Sequence, residues 1–256
     1  MLTRIDLNSD MGERETPEGL ANDADMMPLI TSVNIACGGH AGTPDLMRRT
    51  ARLAAQHGVG IGAHPGLRDP EHFGRTERSL SSREVETLVI QQLHTLADVL
   101  SQDRLTLTHV KPHGALYNVA AQDLSVAQAI VKAVQHVNCA LFLYALASSV
   151  LVQAGQAAGL TVVQEAFADR AYRANGTLVP RSEPGALLTS EETVRQQLQE
   201  LIQGSVTSLD GRKVPIRADS ICIHSDTPHA MSLARIIRHE LQSAGIRILA
   251  VRHEDL

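Results

Sequence analysis

The stretch Thr108-His109-Val110-Lys111-Pro112-His113-Gly114-Ala115-Leu116-Tyr117-Asn118 places two polar side chains just after a predicted strand. The alternating run that precedes it, residues 105–108, predicts the strand itself. Pro112 fixes its own φ and disfavours helical backbone at Lys111, so the chain should be extended here. In an extended chain Lys111 and His113 project to the same side. The stretch therefore predicts either a strand end that carries chemistry or one that carries two solvated side chains.

Short apolar strands alternate with amphipathic helices on both sides of this stretch. We predict further strands at residues 4–8, 32–36, 59–63, 140–144, 160–164 and 220–224, a short one at 246–250, and a hairpin around Asp210-Gly211. Thr43-Pro44 and Ser81 with Glu84 are typical of helix starts. Because the strands are short and apolar, as parallel strands covered on both faces should be, we predict one (β/α) barrel over residues 1–256. An open doubly wound sheet is the alternative.

Composition narrows the class of protein. The 256 residues have a formal net charge of −5, with three Phe, three Tyr and no Trp. Such a chain lacks the basic surface and stacking platforms that nucleic acids need, and we expect neither a nucleic-acid nor a membrane partner. Residues 1–6 are too polar for a signal peptide. The three cysteines lie far apart without a CxxC pair, so we expect reduced thiols and a cytoplasmic protein.

Polar residues gather where the predicted strands end. They are Asp10, Glu13, His40, His64, Lys111, His113, Glu165, Asp169, Arg170, His224 and Asp226, with Asn34 inside the second strand. In a parallel barrel all of these ends open on one face, where active sites are built. We therefore predict one common site, and the chemical interpretation of Lys111 and His113 is favoured over the solvated one.

Spacing alone leaves the chemistry of that site open. Asp10, His40, His64 and His113 have the residue types of a divalent-metal site, and the same residues can perform metal-free acid–base catalysis. Gly38-Gly39-His40-Ala41-Gly42 predicts either a tight turn or an anion site at a helix N-terminus. The sequence has neither a P-loop nor a GxGxxG motif, so we recognise no nucleotide site in it.

Six blocks of sequence stand out in order along the whole chain. They are Asp6-Leu7-Asn8-Ser9-Asp10-Met11-Gly12-Glu13, Asn34-Ile35-Ala36-Cys37-Gly38-Gly39-His40-Ala41-Gly42, Gly62-Ala63-His64-Pro65-Gly66, Val110-Lys111-Pro112-His113-Gly114-Ala115-Leu116-Tyr117-Asn118, Glu165-Ala166-Phe167-Ala168-Asp169-Arg170-Ala171-Tyr172 and Ile221-Cys222-Ile223-His224-Ser225-Asp226-Thr227-Pro228. Together they resemble the signature blocks of the LamB/YcsF family, the A subunit of the bacterial ATP-dependent 5-oxoprolinase. Four positions depart from the residues usual in that family: Ser9, Gly39, Ser225 and His229.

This resemblance implies an α/β fold, an irregular (β/α) barrel of about seven parallel strands like those of glycoside hydrolases and deacetylases. It implies an enzyme that converts 5-oxo-L-proline, ATP and water to L-glutamate, ADP and phosphate. The implied partners are B and C subunits that resemble the halves of allophanate hydrolase. ATP, with Mg²⁺ as its counter-ion, would then bind on the partners or at a shared interface, which agrees with the lack of a P-loop. A homo-oligomer is compatible with the sequence.

Opening a stable five-membered lactam needs an activated ring carbonyl, an attacking water and a proton for the ring nitrogen. We assign four catalytic residues, Asp10, His64, Lys111 and His113. Asp10 or His64 is the base for the water, His113 an acid or orienting donor, and Lys111 the counter-charge for an oxyanion or phosphate. The predicted substrate-binding residues are Asn34, His40, Arg75, Glu165, Arg170 and Asp226, with Arg75 or Arg170 clamping a carboxylate.

Two rival hypotheses accompany this assignment. The first is a metal-dependent amidase or deacetylase that acts alone and holds its metal through Asp10 with two of His40, His64 and His113, the tentative metal set being these four residues. The second is a non-catalytic subunit that binds a small acid without turning it over.

Overall fold

The structure, a computed structural model, describes residues 2–224 and 229–253. Its strands are β1 (Arg4–Met11), β2 (Ser32–Ala36), β3 (Gly60–His64), β4 (His109–Val110), β5 (Phe142–Leu146), β6 (Val162–Phe167), β7 (Ser205–Thr207), β8 (Lys213–Pro215), β9 (Ser220–Cys222) and β10 (Arg247–Ile248). Within the described residues seven parallel strands close into a barrel in the order β1, β2, β3, β4, β5, β6, β9, because β9 pairs back onto β1. The prediction of an irregular (β/α) barrel of about seven parallel strands is confirmed.

The first strand makes the closure possible because it is long enough to pair with three partners. Its Asn8–Met11 half pairs with β2, its Asp6–Asn8 part pairs with β9, and Arg4 and Ile5 pair with β10 outside the barrel. Strands β7 and β8 form a separate antiparallel hairpin around Asp210-Gly211, as predicted.

The helices surround the barrel, and two of them begin at the caps that the sequence predicts. They are α1 (Pro17–Met26), α2 (Pro44–His57), α3 (Ser82–Ser101), α4 (Gly114–Ala120), α5 (Leu124–Asn138), α6 (Val150–Ala157), α7 (Glu191–Ile202) and α8 (Ala230–Ser243). Thr43 caps α2, and Gly58 ends it with a φ of 67°, in the left-handed region that glycine adopts at low cost. Ser81 and Glu84 form the capping box expected at the start of α3.

The fourth strand is shorter and lies later than predicted. A strand over residues 105–108 is wrong, because Leu105 N donates to Leu100 O and these residues complete the exit from α3. Hydrogen bonds to the neighbouring strands begin at Thr108, and the strand itself extends only over β4. The unpredicted helix α4 starts directly after His113. The predicted start of the last helix at Thr227 lies outside the described residues.

Aliphatic side chains fill the space between barrel and helices, whereas the barrel interior is strongly polar. Its fully buried side chains include Asp6, Asn8, Ser32, Asn34, His109, Lys111, Glu165 and Ser220. Buried polar groups on this scale are stable only when they hydrogen-bond to one another, so the interior must be a connected network. None of the described helices is long and apolar enough to cross a membrane.

Candidate active site at the barrel mouth

A cavity of about 580 Å³ opens at the carboxyl ends of the barrel strands. Its polar lining includes Asp10, Glu13, His64, Arg75, Glu77, Lys111, His113, Tyr117, Arg170, Arg181 and His224. A concave site of this size with a few convergent polar groups suits a small molecule. The structure thus brings side chains from distant strand ends around one cavity.

The ammonium group of Lys111 is the buried centre of the site. Its Nζ lies 3.0 Å from Asp10 Oδ1 and 2.8 Å from Glu165 Oε1. It also lies 3.1 Å from both Asn8 Oδ1 and Cys222 Sγ. Burial alone would lower the pKa of Lys111, but the neighbouring Asp10 and Glu165 carboxylates outweigh it and hold that pKa well above its ordinary value. Lys111 is therefore a permanent positive charge.

The carboxylate of Asp10 is held through both of its oxygens. Oδ1 accepts from Lys111 Nζ and from Asn34 Nδ2, which is 2.8 Å away. Oδ2 lies 3.2 Å from His64 Nε2. Burial alone would raise the pKa of Asp10, but its interactions with His64 and Lys111 prevail and bring the pKa well below the ordinary value. Asp10 is ionised at neutral pH.

Two amides fix the geometry beneath these charges. Asn34 Nδ2 donates to Asn8 Oδ1 at 2.8 Å, and Asn8 Nδ2 donates to Glu165 Oε1 at 2.8 Å. The second carboxylate oxygen of Glu165 accepts from the Tyr117 hydroxyl at 2.6 Å. His109 Nε2 donates to Asn34 Oδ1 at 2.9 Å, and burial lowers the pKa of His109 to about 3. The network leaves little freedom for any of these side chains to rotate.

His64 and His113 meet directly beside Asp10. His64 Nδ1 lies 2.7 Å from Lys111 O, and His113 Nε2 lies 2.9 Å from Phe73 O. A carbonyl oxygen only accepts, so both of these ring nitrogens carry hydrogen. The other two nitrogens, His64 Nε2 and His113 Nδ1, face each other at 2.9 Å. In neutral rings that contact brings two lone pairs together.

His40 and Glu13 lie against this pair. The His40 ring stacks on His113 with 3.6 Å between centroids and 10° between planes. Its Nε2 lies 3.1 Å from Glu13 Oε1, while its buried Nδ1 has no hydrogen-bond partner among the described residues. Burial lowers the pKa of His40 to about 2. Glu13 Oε1 lies 3.7 Å from His113 Nδ1, so the carboxylate approaches both rings.

A second histidine–carboxylate pair stands on the β6 and β9 side of the cavity. His224 Nδ1 donates to Asp169 Oδ2 at 2.8 Å, and the ring stacks on Phe167. Burial alone would raise the pKa of Asp169, but His224 outweighs it and lowers that pKa. A carboxylate on Nδ1 fixes the tautomer of a histidine and leaves Nε2 for proton transfer, the arrangement of many catalytic bases.

Guanidinium groups surround the outer part of the cavity. Arg75 lies over the Phe73 ring at 4.9 Å and lines the opening with Arg181. Arg170 is buried, and its Nη2 donates to Val179 O at 2.7 Å. Burial and the positive charge of nearby Arg181 lower the pKa of Arg170 to about 10. Clustered cations of this kind attract an anionic group.

Comparison with known proteins shows the family of this chain. The model of the LamB/YcsF family matches residues 5–255. The chain belongs to the LamB/YcsF family. It is 45% identical to the A subunit of 5-oxoprolinase from Bacillus subtilis (strain 168) over 252 residues, 98% of each chain. It is 47% identical to the protein of that name from Tolumonas auensis over 251 residues, covering 98% of this chain and 100% of the relative.

A solved structure supports the same relationship. The lactam utilization protein from Thermus thermophilus superimposes with a TM-score of 0.89 at 42% identity, covering 97% of this chain and 100% of the other. A TM-score at this level over the full length shows that the two proteins share the barrel fold.

Most of the residues predicted from sequence converge in this LamB/YcsF barrel, but not all of them reach the cavity. Asp10, His64, Lys111, His113, Arg75 and Arg170 line it. Asn34, His40 and Glu165, predicted to bind substrate, are buried and are absent from the described cavity lining. They contact the lining residues from behind, so their role in the structure is to position them. Asp226 lies outside the described residues.

Several site residues were not assigned a role from sequence: Asn8, Glu13, Tyr117, Asp169, Cys222 and His224. Asn8 had a usable signal, since Asp6, Asn8 and Asp10 alternate along β1 and therefore share its inner face. Glu13, Asp169 and His224 follow strands, but the local sequence does not indicate which side chains they contact. Tyr117 lies on the unpredicted helix α4, and no local pattern points to its contact with Glu165.

Proposed function

We propose that this chain is the A subunit of an ATP-dependent 5-oxoprolinase, which opens the lactam of 5-oxo-L-proline to L-glutamate together with B and C subunits. The observation that carries the proposal is the buried Lys111 ammonium between Asp10 and Glu165 in a cavity lined by Arg75 and Arg181. The guanidinium groups suit the carboxylate of a small acid, and the fixed Lys111 ammonium can donate to its amide oxygen. Full-length relatives that are named as A subunits of 5-oxoprolinase support the same substrate.

In the proposed reaction the arginines and Lys111 have different roles. The guanidinium groups of Arg75 and Arg181 bind the substrate carboxylate, and Arg170 supports them from its buried position. Lys111 neutralises negative charge that develops on the lactam oxygen or on a phosphate attached to it. Because the ammonium is fixed by its carboxylates, it needs no reorganisation as the charge forms.

In this proposal the histidines carry out the proton transfers. The group of Asp10, His64 and His113 orients and activates the attacking water. His224, held by Asp169 through Nδ1, protonates the ring nitrogen as the carbon–nitrogen bond breaks. This cleavage leaves a neutral amine and a γ-glutamyl phosphate, and a second water then breaks the acyl–phosphate bond to release glutamate and phosphate.

ATP enters this proposal through the partners. Neither a P-loop nor a GxGxxG motif occurs in the sequence, so we assign ATP and its Mg²⁺ to the B and C subunits or to an interface with them. Phosphorylation of the lactam oxygen would make the ring carbon electrophilic and supply a good leaving group. The barrel would then receive an activated lactam.

The decisive experiment measures glutamate release from 5-oxoproline with this chain alone, with the B and C subunits alone, and with all three, each with and without ATP. Glutamate should form only in the complete, ATP-containing mixture. If the chain alone opened the lactam without ATP, and a chelator abolished that activity, the stand-alone metal amidase would replace this proposal. If the chain bound 5-oxoproline and no variant of its cavity residues lowered glutamate release by the complete mixture, the chain would be a non-catalytic subunit.

A further inference from the structure

We propose that Asp10, Glu13, His64 and His113 bind one divalent transition-metal cation of the Zn²⁺ class beside Lys111. The two imidazoles are in direct contact. His64 Nε2 and His113 Nδ1 lie 2.9 Å apart. Each ring has already committed its other N–H to a backbone carbonyl, so neutral rings direct two lone pairs at one point. A positive charge between them removes this repulsion.

Two carboxylate oxygens lie beside this contact. Asp10 Oδ2 lies 3.2 Å from His64 Nε2, and Glu13 Oε1 lies 4.0 Å from it and 3.7 Å from His113 Nδ1. Four ligands about 2.0–2.2 Å from a tetrahedral centre are about 3.3–3.6 Å from one another. These four separations, from 2.9 to 4.0 Å, bracket that spacing. A proton on His64 Nε2 would reach only His113 Nδ1 and Asp10 Oδ2 at hydrogen-bond distance, whereas a cation also binds Glu13 Oε1.

The surrounding contacts are those that metal ligands usually have. Histidines that bind metal donate their second N–H to a carbonyl or carboxylate, and both rings do so here. Asp10 is fixed through Oδ1 by Lys111 and Asn34, and its Oδ2 is directed toward His64. The planes of His64 and His113 are 81° apart, so both lone pairs can reach one centre without a clash of rings.

His40 belongs to the second layer of this site. Its ring is nearly parallel to that of His113, with centroids 3.6 Å apart. A cation in the plane of His113 would lie far above the plane of His40, where that ring has no lone pair. His40 Nε2 instead donates to Glu13 Oε1 and orients the carboxylate. The proposed ligands thus differ from the metal set predicted from sequence at one position: Glu13 replaces His40.

The proposal does not rest on the proposed 5-oxoprolinase activity and is tested without substrate. The purified full-length chain is stripped with a chelator, dialysed and titrated with Zn²⁺ by calorimetry and with Co²⁺ by absorption spectroscopy. We expect one saturable site per chain and a tetrahedral Co²⁺ spectrum. His113→Gln and Glu13→Gln should each lower the affinity at least about tenfold. His94→Gln removes an exposed histidine of α3 and should leave it unchanged.

X-ray absorption on the Zn²⁺-loaded wild type keeps the test independent of whether the variants fold. Two imidazoles and two oxygens are expected in the coordination shell. Three imidazoles would overturn the exclusion of His40, and a sulfur ligand would place the cation at Cys222 instead. Absence of saturable binding in the wild type, or equal binding in the wild type and His113→Gln, would overturn the site and leave a shared proton as the link between the rings.

Discussion

At the scale of the residue, Lys111 contributes to both stability and the proposed chemistry. Its single ammonium group compensates two buried carboxylates. Lys111→Met should lower the free energy of unfolding by about 3–5 kcal/mol, since it leaves Asp10 and Glu165 buried without their cation. Glutamate release by the complete assembly should fall by at least about 10²-fold. Urea denaturation and the coupled glutamate assay measure the two effects.

Lys132→Met is the matched control for that substitution, because Lys132 is exposed on α5. It removes the same charge and should change stability by less than about 0.5 kcal/mol. Wild-type turnover in folded Lys111→Met would remove Lys111 from the mechanism.

Asp23 should make stability depend on pH. It accepts from Gly12 N at 3.0 Å, yet burial dominates and raises its pKa from 3.8 to about 6. The folded state thus binds the proton more tightly than the unfolded state. The resulting stability is complete below about pH 4 and is lost as pH rises through about 6. Between about pH 4 and pH 7, the free energy of unfolding should fall by up to about 3 kcal/mol relative to Asp23→Asn, at about 1.4 kcal/mol per pKa unit.

The Asp23 test is the difference between two denaturation series, so titration of other groups cancels. Asp25→Asn, at an exposed position of the same helix α1, should follow the wild-type curve. A wild-type curve parallel to that of Asp23→Asn across the whole range would mean that Asp23 keeps an ordinary pKa.

The place of a residue in the fold was predictable from sequence wherever its position along a strand decides that place. Asp10, His64, Lys111 and His113 follow or end strands, and a parallel barrel brings such positions to one mouth. The pairing of His224 with Asp169 was not predictable, because it joins residues 55 positions apart through a side-chain geometry that no local pattern encodes. The same holds for the stacking of His40 on His113.

At the scale of the element, the helix starts at Thr43 and Ser81 were predictable because capping is local chemistry. Strand β4 was not, since its apolar run continues the exit from α3 and only pairing with β3 and β5 defines its ends. The segment 67–80, which follows β3, packs onto the histidines. Phe73 contacts the rings of His40 and His113, and Ala115 N donates to Gly74 O.

Gly74 is the position at which this segment can be tested. Its φ is +62°, and a Cβ there would lie 2.8 Å from His40 Cβ and 3.2 Å from His113 Cδ2. Gly74→Ala should therefore push the segment off the rings. We expect glutamate turnover to fall at least about tenfold and stability to fall by about 2–4 kcal/mol, from left-handed strain and overpacking together.

Gly58→Ala separates strain from displacement. Gly58 has a similar φ of +67°, but a Cβ there would meet nothing within 4 Å. It should lose only about 1–2 kcal/mol of stability and keep full turnover. Equal turnover in the two variants would show that the segment 67–80 does not position the catalytic rings.

At the scale of the whole molecule, a polar cluster at the opposite end from the site links strands on both sides of the barrel closure. Asp6 accepts from Thr31 and Ser32 through Oδ1, and from Tyr144 and Ser220 through Oδ2. These donors belong to β2, β5, β9 and the residue before β2. Burial, which outweighs those hydrogen bonds, raises the pKa of Asp6. One carboxyl group thus joins strands that are distant in sequence. We therefore expect its loss to destabilise the whole barrel in one cooperative transition.

Asp6→Ala would leave several buried hydroxyl groups without their acceptor, at about 1–3 kcal/mol for each unsatisfied group. We expect the free energy of unfolding to fall by at least about 3 kcal/mol, in one transition whose denaturant slope matches that of the wild type. Asp98→Ala, at an exposed position of α3, should stay within about 0.5 kcal/mol of the wild type. Urea unfolding followed by both circular dichroism and tyrosine fluorescence measures this. Two separate transitions in Asp6→Ala, or a loss below about 1 kcal/mol, would contradict this expectation. Backbone pairing of β1 with β9 would then close the barrel without the hydrogen bonds of Asp6.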